Sequence, residues 1–245
     1  MPVAIITGGA AGIGRHLCAG FAREGYVVAA LDIQPMSSPH PDIHCFPCDL
    51  RDEAAITSVF HTIAQTLGTP RVLINNGAVS RFRKPFPLLE AKEFGDVLGT
   101  NLRGAFLCCR EFVRLCRGTG YGRIINIAST SGLYGTPKLA TYCMAKWGVL
   151  GLTKTLAKEV GSKGIIVNAL CPTKVKTPMC ETQSYVEFIN ELTGKNFKDY
   201  KEMYAGVPFL DVEDISDMVY WLGTSRAAGK FNGRDVALDL GTLQC

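Results

Sequence analysis

Tyr142 and Lys146 stand four residues apart in a stretch with helical spacing, so their side chains leave the same face. A cation beside a phenol favours the phenolate and lowers its pKa from about 10. A phenol tuned in that way can give or take a proton near neutral pH. Ser129 lies 13 residues before Tyr142, in the loop after a strand-like run, where ligands of parallel sheets bind. A second group suits phosphate. Thr7-Gly8-Gly9-Ala10-Ala11-Gly12-Ile13-Gly14 joins an apolar run to a helical one, and glycines there let backbone approach a pyrophosphate at a helix N-terminus. Asp32 closes the next apolar run, 18 residues after Gly14. A carboxylate there accepts from an adenosine 2′-hydroxyl and repels a 2′-phosphate. No basic residue precedes Gly12 (Ala11) or follows Asp32 (Ile33, Gln34), which favours NAD over NADP. The plainer alternative for Asp32 is a loop cap. YxxxK and glycine-rich patterns are each common by chance, so their weight comes from where they sit.

The elements that must position these residues alternate. Strand-like runs cover residues 3–7, 26–33, 43–48, 71–75, 123–128, 165–170 and 235–240. Helical stretches cover 14–24, 52–67, 88–116, 139–160 and 212–223, with a proline-containing loop at 34–41. Continuously apolar strands alternating with helices predict an α/β fold: a seven-stranded parallel sheet with helices on both faces, in three α/β/α layers. One segment breaks the rhythm. Residues 171–210 lack a strand and are rich in aromatics, the pattern of a lid over a site. With no linker in view, 1–245 is expected to be one domain carrying that lid.

Composition narrows the classes. In 245 residues, 47% hydrophobic and 20% charged, a disordered chain is excluded. The longest apolar runs fall far short of a membrane span. The net charge of +4 is mild and dispersed, which gives nucleic acid little to bind. Strand-like residues directly follow Met1-Pro2, without a basic leader, so a cytoplasmic location with reduced thiols is expected for the 10 cysteines. Cys45-Phe46-Pro47-Cys48 is a lone CxxC with His40 and His44 before it. A zinc or redox site lacks a second CxxC or a strand–CxxC–helix context, so buried strand cysteines are the simpler reading and no metal is expected. HExxH, GxSxG and the P-loop pattern are absent from the sequence.

Taken in order, these motifs make the whole chain resemble the short-chain dehydrogenase/reductase family in its form of about 250 residues. The resemblance rests on Thr7 to Gly14, Asp32, Asp49-Leu50, Leu73-Ile74-Asn75-Asn76-Gly77-Ala78, Asn101, the Ser129, Tyr142 and Lys146 set, and Pro172-Thr173-Lys174-Val175-Lys176-Thr177-Pro178-Met179. It implies a doubly wound Rossmann-type sheet and hydride transfer between NAD(H) and a secondary alcohol or ketone. Catalysis would fall to Ser129, Tyr142, Lys146 and Asn101, with Asn101 holding a water that links Lys146 to solvent. Cofactor contacts would come from Gly8, Ala11, Gly12, Ile13, Gly14, Asp32, Ile33, Asp49, Leu50, Asn76, Gly77, Tyr142, Lys146, Pro172, Val175 and Thr177. A homotetramer packed through the helices of Asn101 and Tyr142 is also implied.

Three positions depart from the family pattern. Asn-Asn-Ala-Gly is here Asn75-Asn76-Gly77-Ala78, Pro-Gly is Pro172-Thr173, and the C-terminal Asp-Gly-Gly is Asp239-Leu240-Gly241. If position 78 needed a positive φ, its alanine would be strained. The substrate is poorly defined by sequence. Arg81, Arg83, Lys84, Lys174 and Lys176 could hold an anion, although solvated surface charge is the simpler account. Tyr185, Phe188, Phe197, Tyr200, Tyr204 and Phe209 suit either an apolar ligand or a lid packing on its own domain. The alternatives in function are a non-catalytic NAD(H)-binding sensor or scaffold, and an NADPH-dependent reductase of 3-oxoacyl thioesters.

Overall fold

Apolar β-branched runs form the strands of a computed structural model that describes residues 1–38, 40–80 and 83–241. The strands are β1 (Val3–Thr7), β2 (Val27–Asp32), β3 (Ile43–Pro47), β4 (Pro70–Asn75), β5 (Gly122–Ile127), β6 (Ile165–Pro172) and β7 (Asp235–Leu238). They make one seven-stranded sheet in the order β3-β2-β1-β4-β5-β6-β7, and every pair is parallel. The predicted Rossmann-type doubly wound α/β fold is therefore the observed one. The chain runs outward from β1 to β3 and then restarts on the other side of β1 at β4. That reversal opens a crevice at the carboxyl ends of β1 and β4, where ligands of such sheets bind.

Side chains of β1 alternate between the two faces, as a period of two requires. Val3 and Ile5 join a core with Phe60, Phe112 and Val160, from α2 (Glu53–Thr66), α4 (Gly104–Cys116) and α5 (Ala140–Val160). Ala4 and Ile6 join an opposite core with Leu17, Phe21 and Val219, from α1 (Gly12–Arg23) and α8 (Val212–Thr224). Helices on both faces complete the expected three layers.

The helix expected over 88–116 is broken. A 3-10 turn at Phe86–Leu88 precedes α3 (Ala91–Leu98), and a π turn over Gly99–Arg103 separates α3 from α4. The cause is tertiary. Asn101 sits inside the π turn, with its Oδ1 accepting from Val79 N–H and its Nδ2 donating to Val79 C=O, both at 2.8 Å. Gly104 then lets α4 approach β3's exit, since a Cβ there would lie 2.9 Å from Leu50 Cβ and O.

In residues 171–210 the sheet continues to Pro172, and the segment carries α6 (Gln183–Thr193) and α7 (Tyr200–Gly206). Its aromatic residues pack on one another. Tyr185, Phe197, Tyr200, Tyr204 and Phe209 surround buried Val186, Phe188, Ile189 and Met203, together with Leu139 and Cys143 at the start of α5. Among the described residues no helix is long and apolar enough to cross a membrane.

Candidate active site

The loop after β1 is built around close backbone approach. Gly8 and Gly12 have φ of +70° and +51°, which glycine adopts without a Cβ clash. Gly14 is excluded from carrying a side chain by its neighbours, because a Cβ there would meet Gly8 O at 2.0 Å. Thr7 ties this loop to the one after β4. Its Oγ1 accepts from Asn76 N–H at 3.0 Å and Gly77 N–H at 2.9 Å, while Asn76 Nδ2 donates to Thr7 O at 3.0 Å. Gly77 has no room for a Cβ, since Leu50 Cδ1 would lie 2.6 Å away. Ala78 is not among the described residues with positive φ, so the strain considered for it does not arise. The exchange of Ala-Gly for Gly-Ala moves the small residue to the position that needs it.

These loops open one end of a cavity of about 710 Å³. Asp32 lines it, with Oδ2 accepting from Ala10 N–H at 3.0 Å and Oδ1 from Gln34 N–H at 2.9 Å. The carboxylate thus caps the glycine loop and faces the cavity at once, which joins the two accounts of it. Asp49 also lines this end and is gripped by Arg51, whose Nη2 lies 2.7 Å from Asp49 Oδ2. The guanidinium holds the Asp49 carboxyl below its ordinary pKa.

Ser129, Tyr142 and Lys146 line the middle of the same cavity. Ser129 follows β5, and its Oγ accepts from Ser131 N–H at 3.1 Å, donates to Pro172 C=O at 3.5 Å and stands within hydrogen-bonding reach of the Tyr142 phenol. Lys146, one turn after Tyr142 on α5, is buried and donates from Nζ to Ile127 O at 2.7 Å. Its Nζ lies 5.5 Å from the Tyr142 ring centroid.

The electrostatics correct one expectation. Burial pushes the Tyr142 pKa up to about 12, against the lowering effects of the Ser129 hydrogen bond and of Arg83. Burial also pulls Lys146 down, from 10.5 to about 8. Desolvation therefore outweighs the pairing that the spacing suggested.

The cavity wall collects Gly8, Ala11, Gly12, Ile13, Asp32, Ile33, Asp49, Leu50, Asn76, Gly77, Ser129, Tyr142, Lys146, Pro172, Val175 and Thr177. Two expected residues stand behind it. Gly14 supports Gly8 by its lack of a side chain, and Asn101 is occupied at both ends of its amide by Val79.

The region described for the short chain dehydrogenase family matches residues 2–186 of this sequence. The chain belongs to that family. Within it, 2-dehydro-3-deoxy-L-rhamnonate dehydrogenase (NAD(+)) of Sphingomonas sp. (strain SKA58) is 35% identical over 193 residues, covering 76% of this chain and 78% of the relative. Among solved structures, carveol dehydrogenase from Mycobacterium avium in complex with NAD superposes with a TM-score of 0.88 at 26% identity, covering 98% of this chain and 96% of that one. ElxO with NADP bound superposes with a TM-score of 0.83 at 25% identity, covering 97% of each chain. The family thus includes neighbours with either nicotinamide dinucleotide.

Sequence spacing missed several residues of the wall. Gln34, Arg51 and Thr100 line the Asp32 end, and Met179, Cys180, Ile189 and Leu192 line the other. Ile189 and Leu192 come from α6, and Met179 and Cys180 from a 3-10 turn before it, and the place of both over the cavity follows from packing. Cys45 lies half-buried on β3, and Cys48 is buried just past it at the cavity wall. The described cysteines are unpaired, and no group of three or more His, Cys, Asp or Glu among the described residues is placed to hold a metal. Of the basic residues expected near the pocket, Lys84 pairs with Glu93 and Lys176 with Asp211, while Arg81 lies outside the described residues.

Proposed function

We propose that this protein is an NAD(H)-dependent oxidoreductase that interconverts a secondary alcohol and a ketone. The observation that carries this is the placement of Ser129, Tyr142 and Lys146 on one cavity whose far end is framed by the Gly8–Gly12 loop and the Asp32 carboxylate. The glycine cradle, whose close backbone approach a Cβ at Gly8 or Gly14 would break, fits a pyrophosphate. Asp32 would accept from a ribose 2′-hydroxyl, and its charge disfavours a 2′-phosphate. The guanidinium of Arg51 is engaged by Asp49 and Asp96 and so adds little for that phosphate.

When bound, the nicotinamide would supply the hydride chemistry that links ketone and alcohol. Tyr142 would donate its proton to the carbonyl oxygen in reduction, and its phenolate would take the hydroxyl proton in oxidation. Ser129 would hold the same oxygen by donating a hydrogen bond, keeping it beside the phenol. Lys146 would reach the ribose hydroxyls and lend positive charge to the site as the phenolate forms. The segment over 171–210, through α6, would cover the substrate and exclude water.

The test is nicotinamide absorbance with a panel of secondary alcohols and ketones, using NAD(H) and NADP(H), for wild type and Tyr142→Phe. Turnover should favour NAD(H) by about tenfold or more. Tyr142→Phe should bind NADH with unchanged fluorescence titration and show no turnover. A clear NADP(H) preference would sink the role given to Asp32, and wild-type rates in Tyr142→Phe would sink the role given to Tyr142.

A further inference from the structure

Two cations on the α6 side of the cavity have no carboxylate partner among the described residues. Arg83 stacks on the rings of Tyr185 and Phe188, with its guanidinium carbon 4.9 Å and 5.6 Å from their centroids. Both rings line the cavity. The Nε and Nη2 atoms of Arg83 are buried and have no hydrogen-bond partner among the described residues. Lys174 lines the cavity directly, with Nζ 5.9 Å from the Phe209 ring, and forms no ion pair among the described residues. The contrast with nearby lysines is sharp. Lys84, Lys138 and Lys176 each hold an acid: Glu93, Glu191 and Asp211.

Acidic residues are also unevenly placed. Those that line the cavity are Asp32, Asp49 and Asp96, and Arg51 bridges the last two at the glycine-loop end. The wall built by Ser131, Thr136, Leu139, Lys174, Cys180, Tyr185, Phe188 and Ile189 has none. Burying a guanidinium with unmet donors costs free energy unless an acceptor joins it. Burial depresses the pKa of both Arg83 and Lys174, and the Cys180 thiol on the cavity wall acts on both. Arg83 also acts on the Tyr142 phenol, which places its charge by the reacting end of the site.

We propose that Arg83 and Lys174 form an anion subsite that binds a carboxylate of the substrate, so that the alcohol or ketone turned over is a hydroxy or oxo acid. The planar fork of Arg83 matches a carboxylate in two hydrogen bonds. Arg83 is not itself a wall residue: it stacks on two rings that are, so Lys174 meets the carboxylate first, and Tyr185 and Phe188 turn aside before the buried Nε and Nη2 of Arg83 reach it. This rests on Tyr142 acting on a carbonyl or alcohol, and it narrows that substrate to an anionic class. It changes no atom balance, because the carboxylate is a handle and takes no part in proton or hydride transfer.

The experiment compares oxo acids with their primary amides, which differ in charge and hardly in shape: pyruvate and pyruvamide, acetoacetate and acetoacetamide, levulinate and levulinamide. Each is tested for turnover with NADH and for thermal stabilisation of the NAD-loaded and cofactor-free protein. At least one acid should exceed its amide by about tenfold or more in kcat/KM, mainly through KM, and should raise the melting temperature where the amide does not. That acid-to-amide ratio should collapse in Arg83→Met and in Lys174→Met, with Arg83→Lys recovering only part of it. Amides binding as well as acids would overturn the subsite. So would an unchanged ratio in both variants, which would leave Arg83 as packing for α6. Stabilisation by an acid without turnover of either class would uphold the subsite and overturn the oxidoreductase reading on which its substrate assignment rests.

Discussion

Lys146→Met should make the protein more stable at neutral pH while ending turnover. Lys146 is 3% exposed, and burial lowers its pKa from 10.5 to about 8. At about 1.4 kcal/mol per pH unit, holding that ammonium charged costs about 3 kcal/mol. Methionine matches the chain length and removes the charge. Against this gain, Ile127 O loses the 2.7 Å bond from Nζ. An orphaned buried carbonyl costs about 1–2 kcal/mol, which leaves a net gain of about 1–2 kcal/mol. The sign depends on pH. Because the folded-state pKa is depressed, the unfolded chain binds more protons between about 8 and 10.5, and wild-type stability from this residue rises over that window. Below it the cost is full, and above it the cost is gone. Urea unfolding of both proteins at fixed concentration, repeated across that range, cancels every other titrating group. The advantage of the variant should shrink by about 3 kcal/mol from neutral pH upward and reverse sign. A stability difference that does not vary with pH would refute the buried-cation account.

Two further outcomes follow from the loop and from the phenol. Gly14→Ala should lose cofactor binding or fail to fold stably, because its Cβ would stand 2.0 Å from Gly8 O, whereas Gly20→Ala on the same helix has nothing within 4 Å and should gain about 1 kcal/mol in thermal or urea unfolding. Equal effects at the two positions would contradict the cradle. With the Tyr142 pKa pushed up to about 12, the phenol is protonated at neutral pH. The kcat/KM for alcohol oxidation should therefore rise with pH, by up to about tenfold per unit near neutrality, while that for ketone reduction stays flat. An oxidation rate that falls as pH rises would exclude Tyr142 as the base.

What could be read from sequence was local. The runs Val3–Thr7 and Ile165–Leu170 are so continuously apolar that only a sheet covered on both faces accommodates them, and the sheet order then places Gly8 beside Gly77 without further information. Spacing also placed Tyr142 and Lys146 on one helix face. What it did not contain was their environment. The same four-residue offset is consistent with a paired, solvated phenol and with two buried groups held apart by desolvation, and only burial decides between them. The break at Asn101 has the same origin, since nothing in residues 88–116 signals a π turn, and the deciding partner, Val79, lies 22 residues earlier.

The basic residues carry the point furthest. Arg83, Lys84, Lys174 and Lys176 are indistinguishable as charges in the sequence, yet Lys84 and Lys176 pair with Glu93 and Asp211, while Arg83 and Lys174 have no acidic partner among the described residues. The Lys176–Asp211 pair is exposed at both ends and contributes little, because water screens it. An unpaired guanidinium under two aromatic rings is costly to keep, and that cost is repaid only when an anion arrives. If selection by charge resides in this subsite, substrate class is set by which cations lack partners. Swapping the pairing should then matter more than adding charge: Glu93→Gln, which frees Lys84 without touching the cavity wall, should alter the acid-to-amide ratio far less than Arg83→Met.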